Sequence, residues 1–216
     1  MFSLKKICQS IYLLEFDSHV ELISHFMRFQ EIYESPNKNF RNKPFELMDY
    51  IKWYTSNSED QSFTYFSDWG GFNIPLFIIK DFYHQISDKN SYDHFMKSIS
   101  DFIYKQNDPK PYLIGTKSGE SKTIEHEIAH GLYYSDSSYK DSVDNIIKLI
   151  PSDKIGRMAL VLQELGYTKE VLYDEIQAFS STGLTPSMSG IFSKKELDYF
   201  KENLKLYFKK KKIKLS

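Results

Sequence analysis

Apolar positions recur along this chain in short, well-separated blocks, and their spacing predicts a mainly helical protein with a few strands. Val20, Ile23, Phe26, Met27, Ile32 and Tyr33 approximate one helical stripe over residues 19–34, with Asp17-Ser18 ahead of it as a cap and Pro36 behind it. Residues 45–54 (FELMDYIKWY) read as a second amphipathic helix with Pro44 in its first turn. Two more cover 76–86 and 92–104, the latter capped at Asn90-Ser91. Downstream, Ser137 or Ser138 opens a helix to Ile150, Pro151-Ser-Asp153 opens another that ends before Gly166, and 169–179 (KEVLYDEIQAF) forms a third. The tail from 192 to 216 begins with Ser193-Lys-Lys-Glu196 at capping-box spacing and runs into Lys209-Lys-Lys-Lys212, cations that the end of a helix favours.

Strand signals are fewer. Residues 10–16 (SIYLLEF) and 112–116 (YLIGT) are short apolar runs bounded by turn formers. Between them, 62–75 (SFTYFSDWGGFNIP) mixes aromatics with a Gly-Gly pair, which predicts a short strand and a tight loop. That loop either packs on the core or walls a cleft, and Asp68, Trp69 and Asn73 are the residues that would tell. The fold expected is α+β: one domain over 1–216, with a mainly helical lobe at 1–110 and a second lobe at 111–216.

Composition agrees with a globular chain: 41% apolar, 26% charged and 16% aromatic, with 17 Phe and 16 Tyr available for the interior. A net charge of −1 supplies no overall pull toward nucleic acid or a membrane surface, so neither is an expected partner. The single Cys8 excludes an internal disulfide and any thiolate-rich zinc site. No stretch is apolar enough to span a bilayer, and the run after Lys5-Lys6 is broken by Glu15 and Asp17, so the expected location is cytoplasmic. Nothing in the pattern fixes an oligomeric state.

The strand at 112–116 leads through a six-residue turn into TIEHEIAHGL (123–132), which contains His126-Glu127-Ile-Ala-His130. On a helix, i and i+4 lie one turn apart on one face, so the two imidazoles can converge on one ion. Zinc suits that donor set, and a catalytic zinc takes three protein ligands and keeps a position for water. Glu127 lies beside them as a general base for that water. The uncharged flanks Ile128, Ala129, Gly131 and Leu132 fit a helix buried next to its metal. Of the other histidines, His19 and His25 have no partner at metal spacing, and His84 and His94 sit on separate elements.

The third ligand decides the class. Asp136, six residues past His130, stands where a metzincin would place it, but Tyr133 occupies the position of that pattern's Gly. Glu164 is a further candidate, and Glu175, in YDEIQAF (173–179), is the better placed one. With HEIAH, Glu175 resembles the gluzincin class of zinc metallopeptidases, over about residues 112–180. The resemblance implies a zincin-like domain in which a small sheet borders the active-site helix, with His126, His130 and Glu175 on Zn2+ and Glu127 as general base. It also implies a residue that stabilises the oxyanion, for which Tyr173, Tyr134 and Tyr133 are candidates. The chain departs from the pattern at Phe179, where many members have an aspartate bonded to a zinc histidine; Asp174 or Gln177 are the possible substitutes. The expected activity is hydrolysis of peptide or protein substrates. A zinc binder without catalysis, a hydrolase of a non-peptide amide and an aromatic interaction module around Trp69 are the alternatives. A strand at 112–116 with a free edge would favour a peptide, since an edge pairs with extended main chain; an interior strand would not.

Overall fold

A computed structural model describes residues 1–214. Four strands form one sheet, β1 (Phe2–Cys8), β2 (Ile11–Phe16), β3 (Gly71–Pro75) and β4 (Tyr112–Lys117), in the order β1-β2-β4-β3. The β2–β4 pair is parallel and the two outer pairs antiparallel. Strand alternation splits the core into two layers. Tyr12, Leu14, Phe16, Leu113, Phe72 and Ile74 face α1 (His19–Glu34), α4 (Phe77–Phe82) and α5 (Ser91–Tyr104). Ile11, Leu13, Tyr112 and Ile114 face α6 (Ser121–Ser135), α7 (Ser137–Leu149), α8 (Ser152–Glu164), α9 (Leu172–Thr182) and α10 (Lys194–Lys211). The two expected lobes are therefore helical layers on opposite faces of one sheet, to which 1–110 gives three strands and 111–216 the fourth. The protein is α+β and mainly helical. Among the described residues no helix is long and apolar enough to cross a membrane.

Local chemistry explains most boundaries. Ser18 caps α1 by accepting from the Glu21 N–H, and Asn90 with Asp93, and Ser193 with Glu196, close capping boxes on α5 and α10. Gly115 lets α1 approach β4, because a Cβ there would stand 2.4 Å from the Phe26 ring. The last two positions of the predicted tail, 215 and 216, lie outside the described residues.

Three expectations need correction, and one open alternative is decided. The helix expected over 45–54 is α2 (Leu47–Asn57): Arg28 binds the Phe45 carbonyl at 2.8 Å and Asp88 accepts from the Leu47 N–H at 2.9 Å, which holds 44–46 extended ahead of the first turn. The helix expected over 169–179 starts at Leu172, after a turn from Thr168 to Val171, and runs on because Ser181 and Thr182 bond back to the Gln177 and Ala178 carbonyls. Asp136, rather than Ser137 or Ser138, caps α7. Strand 112–117 is interior, so it offers no free edge; the edge beside α6 belongs to β3. The loop at 62–75 also holds a single helical turn, α3 (Tyr65–Asp68), and β1 has no counterpart in the predicted strands.

Candidate metal centre

His126, Glu127 and His130 lie on α6, which packs against α9, the helix that carries Glu175. His126 Nε2 and His130 Nε2 stand 3.2 Å apart, and Glu175 Oε1 is 3.8 Å from His130 Nε2. These three side chains offer donor atoms within 4.8 Å of one another, and they are the group among the described residues that could hold an ion. Two nitrogens on one tetrahedral zinc are about 3.3 Å apart, so the imidazoles already have the required spacing.

The outer contacts fix what the inner atoms present. His130 Nδ1 meets Asp174 Oδ1 at 2.9 Å, and Asp174 is itself held by Gln177 Nε2 at 3.0 Å, whose Oε1 accepts from Tyr139. His126 Nδ1 meets Thr182 Oγ1 at 3.1 Å; Thr182 donates its own proton to the Ala178 carbonyl, so toward His126 it accepts. Each Nδ1 therefore carries a proton, and both Nε2 atoms point at the same space. Phe179, at the departure from the gluzincin pattern, packs edge-on against the His126 ring at 4.7 Å. Asp174 and Thr182 supply the acceptors instead.

Charge makes the same demand. Glu34, Glu127, Asp174 and Glu175 surround two imidazoles. Burial pushes Glu175 up to about 8 and raises Glu127 and Glu34 above the usual carboxylate range. Burial lowers His126, with a further push from His130, to about 3. Burial opposes charge on His130 too, yet the Asp174 and Glu175 carboxylates outweigh it and raise that imidazole well above its ordinary value. Glu175 Oε2 is buried without a hydrogen-bond partner. A buried carboxylate with an orphaned oxygen, two facing Nε2 atoms and a cluster of buried acidic groups are what a divalent cation satisfies by displacing their protons, so the residues fit the metal the motif implies.

Glu127 is not in the donor group. Its Oε2 accepts from Asn73 Nδ2 at 2.6 Å, and Asn73 Oδ1 accepts from the Tyr112 hydroxyl, which orients the amide. The carboxylate also lies against Gly71, where a Cβ would stand 2.5 Å from Oε1. A cleft of about 240 Å³ opens onto these groups, with Asp68, Trp69 and Asn73 in its wall beside His126, Glu127 and Glu175. The 62–75 segment thus borders the site.

The other predicted residues lie elsewhere. Asp136 caps α7 and pairs with Lys211. Glu164 ends α8, outside the donor group. Tyr133 donates to Asp144 at 2.9 Å, Tyr134 lies 5.1 Å from the Tyr112 ring, and Tyr173 is 53% exposed; none of the three lines the cleft. Tyr167 does, together with Gln30 and Glu34 from α1. Only Gly166 marked that stretch, as a helix stop, and nothing around Glu34 set it apart from other helix-end acids. No family model matches the chain, and no curated protein or solved structure is similar enough to count as a match.

Proposed function

We propose that this chain is a zincin-like zinc metallopeptidase that hydrolyses peptide bonds, with His126, His130 and Glu175 holding the ion and Glu127 as general base. The observation that carries the reading is the division of labour inside the cleft: two Nε2 atoms and the buried Glu175 carboxylate converge, while the neighbouring Glu127 is held apart from the cluster by Asn73. Zinc bound there would polarise the scissile carbonyl and acidify a water. Glu127 would act as general base and then as general acid, taking a proton on its carboxylate and passing it to the departing amine, a role that needs a desolvated, oriented carboxylate. Asn73 and Tyr112 hold it in place. Asp174 and Thr182 keep the imidazoles turned inward, and Tyr167 and Trp69 narrow the cleft around the reacting bond. A peptide rather than a small amide is favoured by β3, an edge strand whose residues Gly71 to Asn73 form the wall of the cleft.

Glu127→Gln tests it. The variant keeps shape and hydrogen-bonding capacity but cannot accept the proton, so it should fold, bind about one zinc per chain and lose roughly 100- to 10,000-fold in cleavage of an unstructured peptide library. A variant that keeps pace with an active wild type would remove Glu127 from the role, and a wild type that cleaves nothing would leave a zinc binder without peptidase activity.

A further inference from the structure

Beside the metal cleft lies a second, more enclosed cavity of about 110 Å³. The two share Gln30, Glu34, Trp69 and Tyr167, so they are neighbours across one wall. Tyr65, Trp69, Tyr167 and Val171 give the smaller one an aromatic and aliphatic lining, and Glu31 and Glu34 add two carboxylates from successive positions three apart on α1. Neither cavity is lined by a lysine or arginine. Glu31 is only 5% exposed; its Oε1 accepts from the Tyr65 hydroxyl at 2.8 Å, and its Oε2 meets no donor at full hydrogen-bond geometry among the described residues, although the Ser35 and Tyr50 hydroxyls lie beside the carboxylate. Thr168 Oγ1, in the same lining, is also buried and unpartnered.

A buried acceptor without a donor is costly, and one that lines a cavity is a place where a donor from a ligand is favoured. We propose that this cavity is the subsite for a basic side chain of the peptide substrate, lysine or arginine, with Glu34 and Glu31 selecting for its charge. The inference rests on the peptidase reading and names the substrate class. The aromatic walls suit the methylene stem, and their ring faces attract the cationic head. Glu34 reaches both cavities, so it ties recognition of the side chain to the cleft where the bond is broken. An apolar side chain would fill the walls but leave Glu31 Oε2 orphaned.

The test measures binding apart from turnover. The full chain carrying Glu127→Gln, loaded with zinc, is titrated calorimetrically with N-acetyl-lysine methylamide and with its norleucine counterpart, which has the stem without the charge. Lysine should bind at least about tenfold more tightly, and adding Glu34→Gln should erase most of that preference while leaving norleucine affinity unchanged at saturating zinc. Equal or tighter norleucine binding overturns the proposal, as does an unchanged preference in Glu34→Gln. Glu34 is only partly buried, so this variant decides the matter even if Glu31→Gln fails to fold. Cleavage of the library by wild type with no preference for basic residues would remove the subsite and keep the peptidase. Cleavage of nothing, with the lysine preference intact, would remove the peptidase and keep the cation site.

Discussion

Asn73 reaches from the edge strand to within 2.6 Å of the Glu127 carboxylate, and Glu127 in turn lies over Gly71, two residues earlier on the same strand. One strand therefore positions the Glu127 carboxylate by a hydrogen bond and by the absence of a side chain. Sequence spacing around the two histidines could not show this, because Asn73 and Glu127 are 54 residues apart.

Gly71→Ala should separate position from metal binding. The new Cβ would meet Glu127 Oε1 at 2.5 Å and Thr123 Cγ2 at 2.6 Å, so the carboxylate must shift. Displacement of about 1 Å at a reacting group can lower rates about 100-fold, and a loss of that order is expected with zinc content unchanged. Gly70→Ala is the control, since nothing lies within 4 Å of its Cβ. Equal rates for both variants would show that Glu127 tolerates displacement.

Loss of the third ligand should be specific to one residue. Glu175→Gln leaves two imidazoles and a neutral amide facing the ion, and metal analysis should show occupancy well below one zinc per chain after mild chelation. Glu164→Gln should retain its zinc. His126→Ala/His130→Ala should retain none, and stoichiometric zinc in that variant would place the metal elsewhere.

Asp136 is expected to matter for stability and not for zinc. Burial alone would raise its carboxyl, but hydrogen bonds from Lys211, Ser138 and the Tyr139 N–H outweigh that and hold it at about 2. A carboxylate below its usual value contributes stability that is complete above about pH 4 and is lost as pH falls through about 2. With solvent screening the contribution is about 1 to 2 kcal/mol, and Asp136→Ala also removes the cap of α7, worth about 1 kcal/mol. Thermal melts at pH 7 should show the variant less stable at full zinc occupancy, and the gap should narrow toward pH 2. Lost zinc would instead revive Asp136 as a ligand.

The parts of the fold that were legible were those encoded locally. α1 was bounded by its stripe, by Ser18 and by the Ser35-Pro36 stop, and α6 by its motif and flanks. β1 was hidden because it is an outer strand whose Lys5 and Lys6 face solvent, so its alternation is weak and its pairing to β2 is the whole signal. In the candidate site, His126, Glu127 and His130 follow from helical spacing, Glu175 follows from the gluzincin resemblance, and Asp174 is its neighbour in sequence. Glu34, Gln30 and Tyr167 come together only through packing of α1 and the 165–171 loop around the cleft. Tyr133 and Tyr134 follow His130 by three and four residues, but their rings turn toward what packs against the helix there, Asp144 and Tyr112.

The substitution for the aspartate that the gluzincin pattern would place at Phe179 yields the most discriminating prediction. Thr182 lies one turn past Ala178, gives its proton to that residue's carbonyl and accepts from His126 Nδ1. Thr182→Val has nearly the same shape and no acceptor, so the His126 tautomer is no longer fixed and its Nε2 is free to carry the proton instead. Outer contacts of this kind are typically worth 10- to 100-fold in metal affinity. Competition against a zinc chelator should show a loss in that range for Thr182→Val, recovery in Thr182→Ser, which restores the hydroxyl, and a larger loss in Asp174→Asn, which replaces a charged acceptor on the other imidazole. If Thr182→Val holds zinc as tightly as wild type, the ring is oriented by Phe179 packing alone and the hydroxyl has no part in binding the metal.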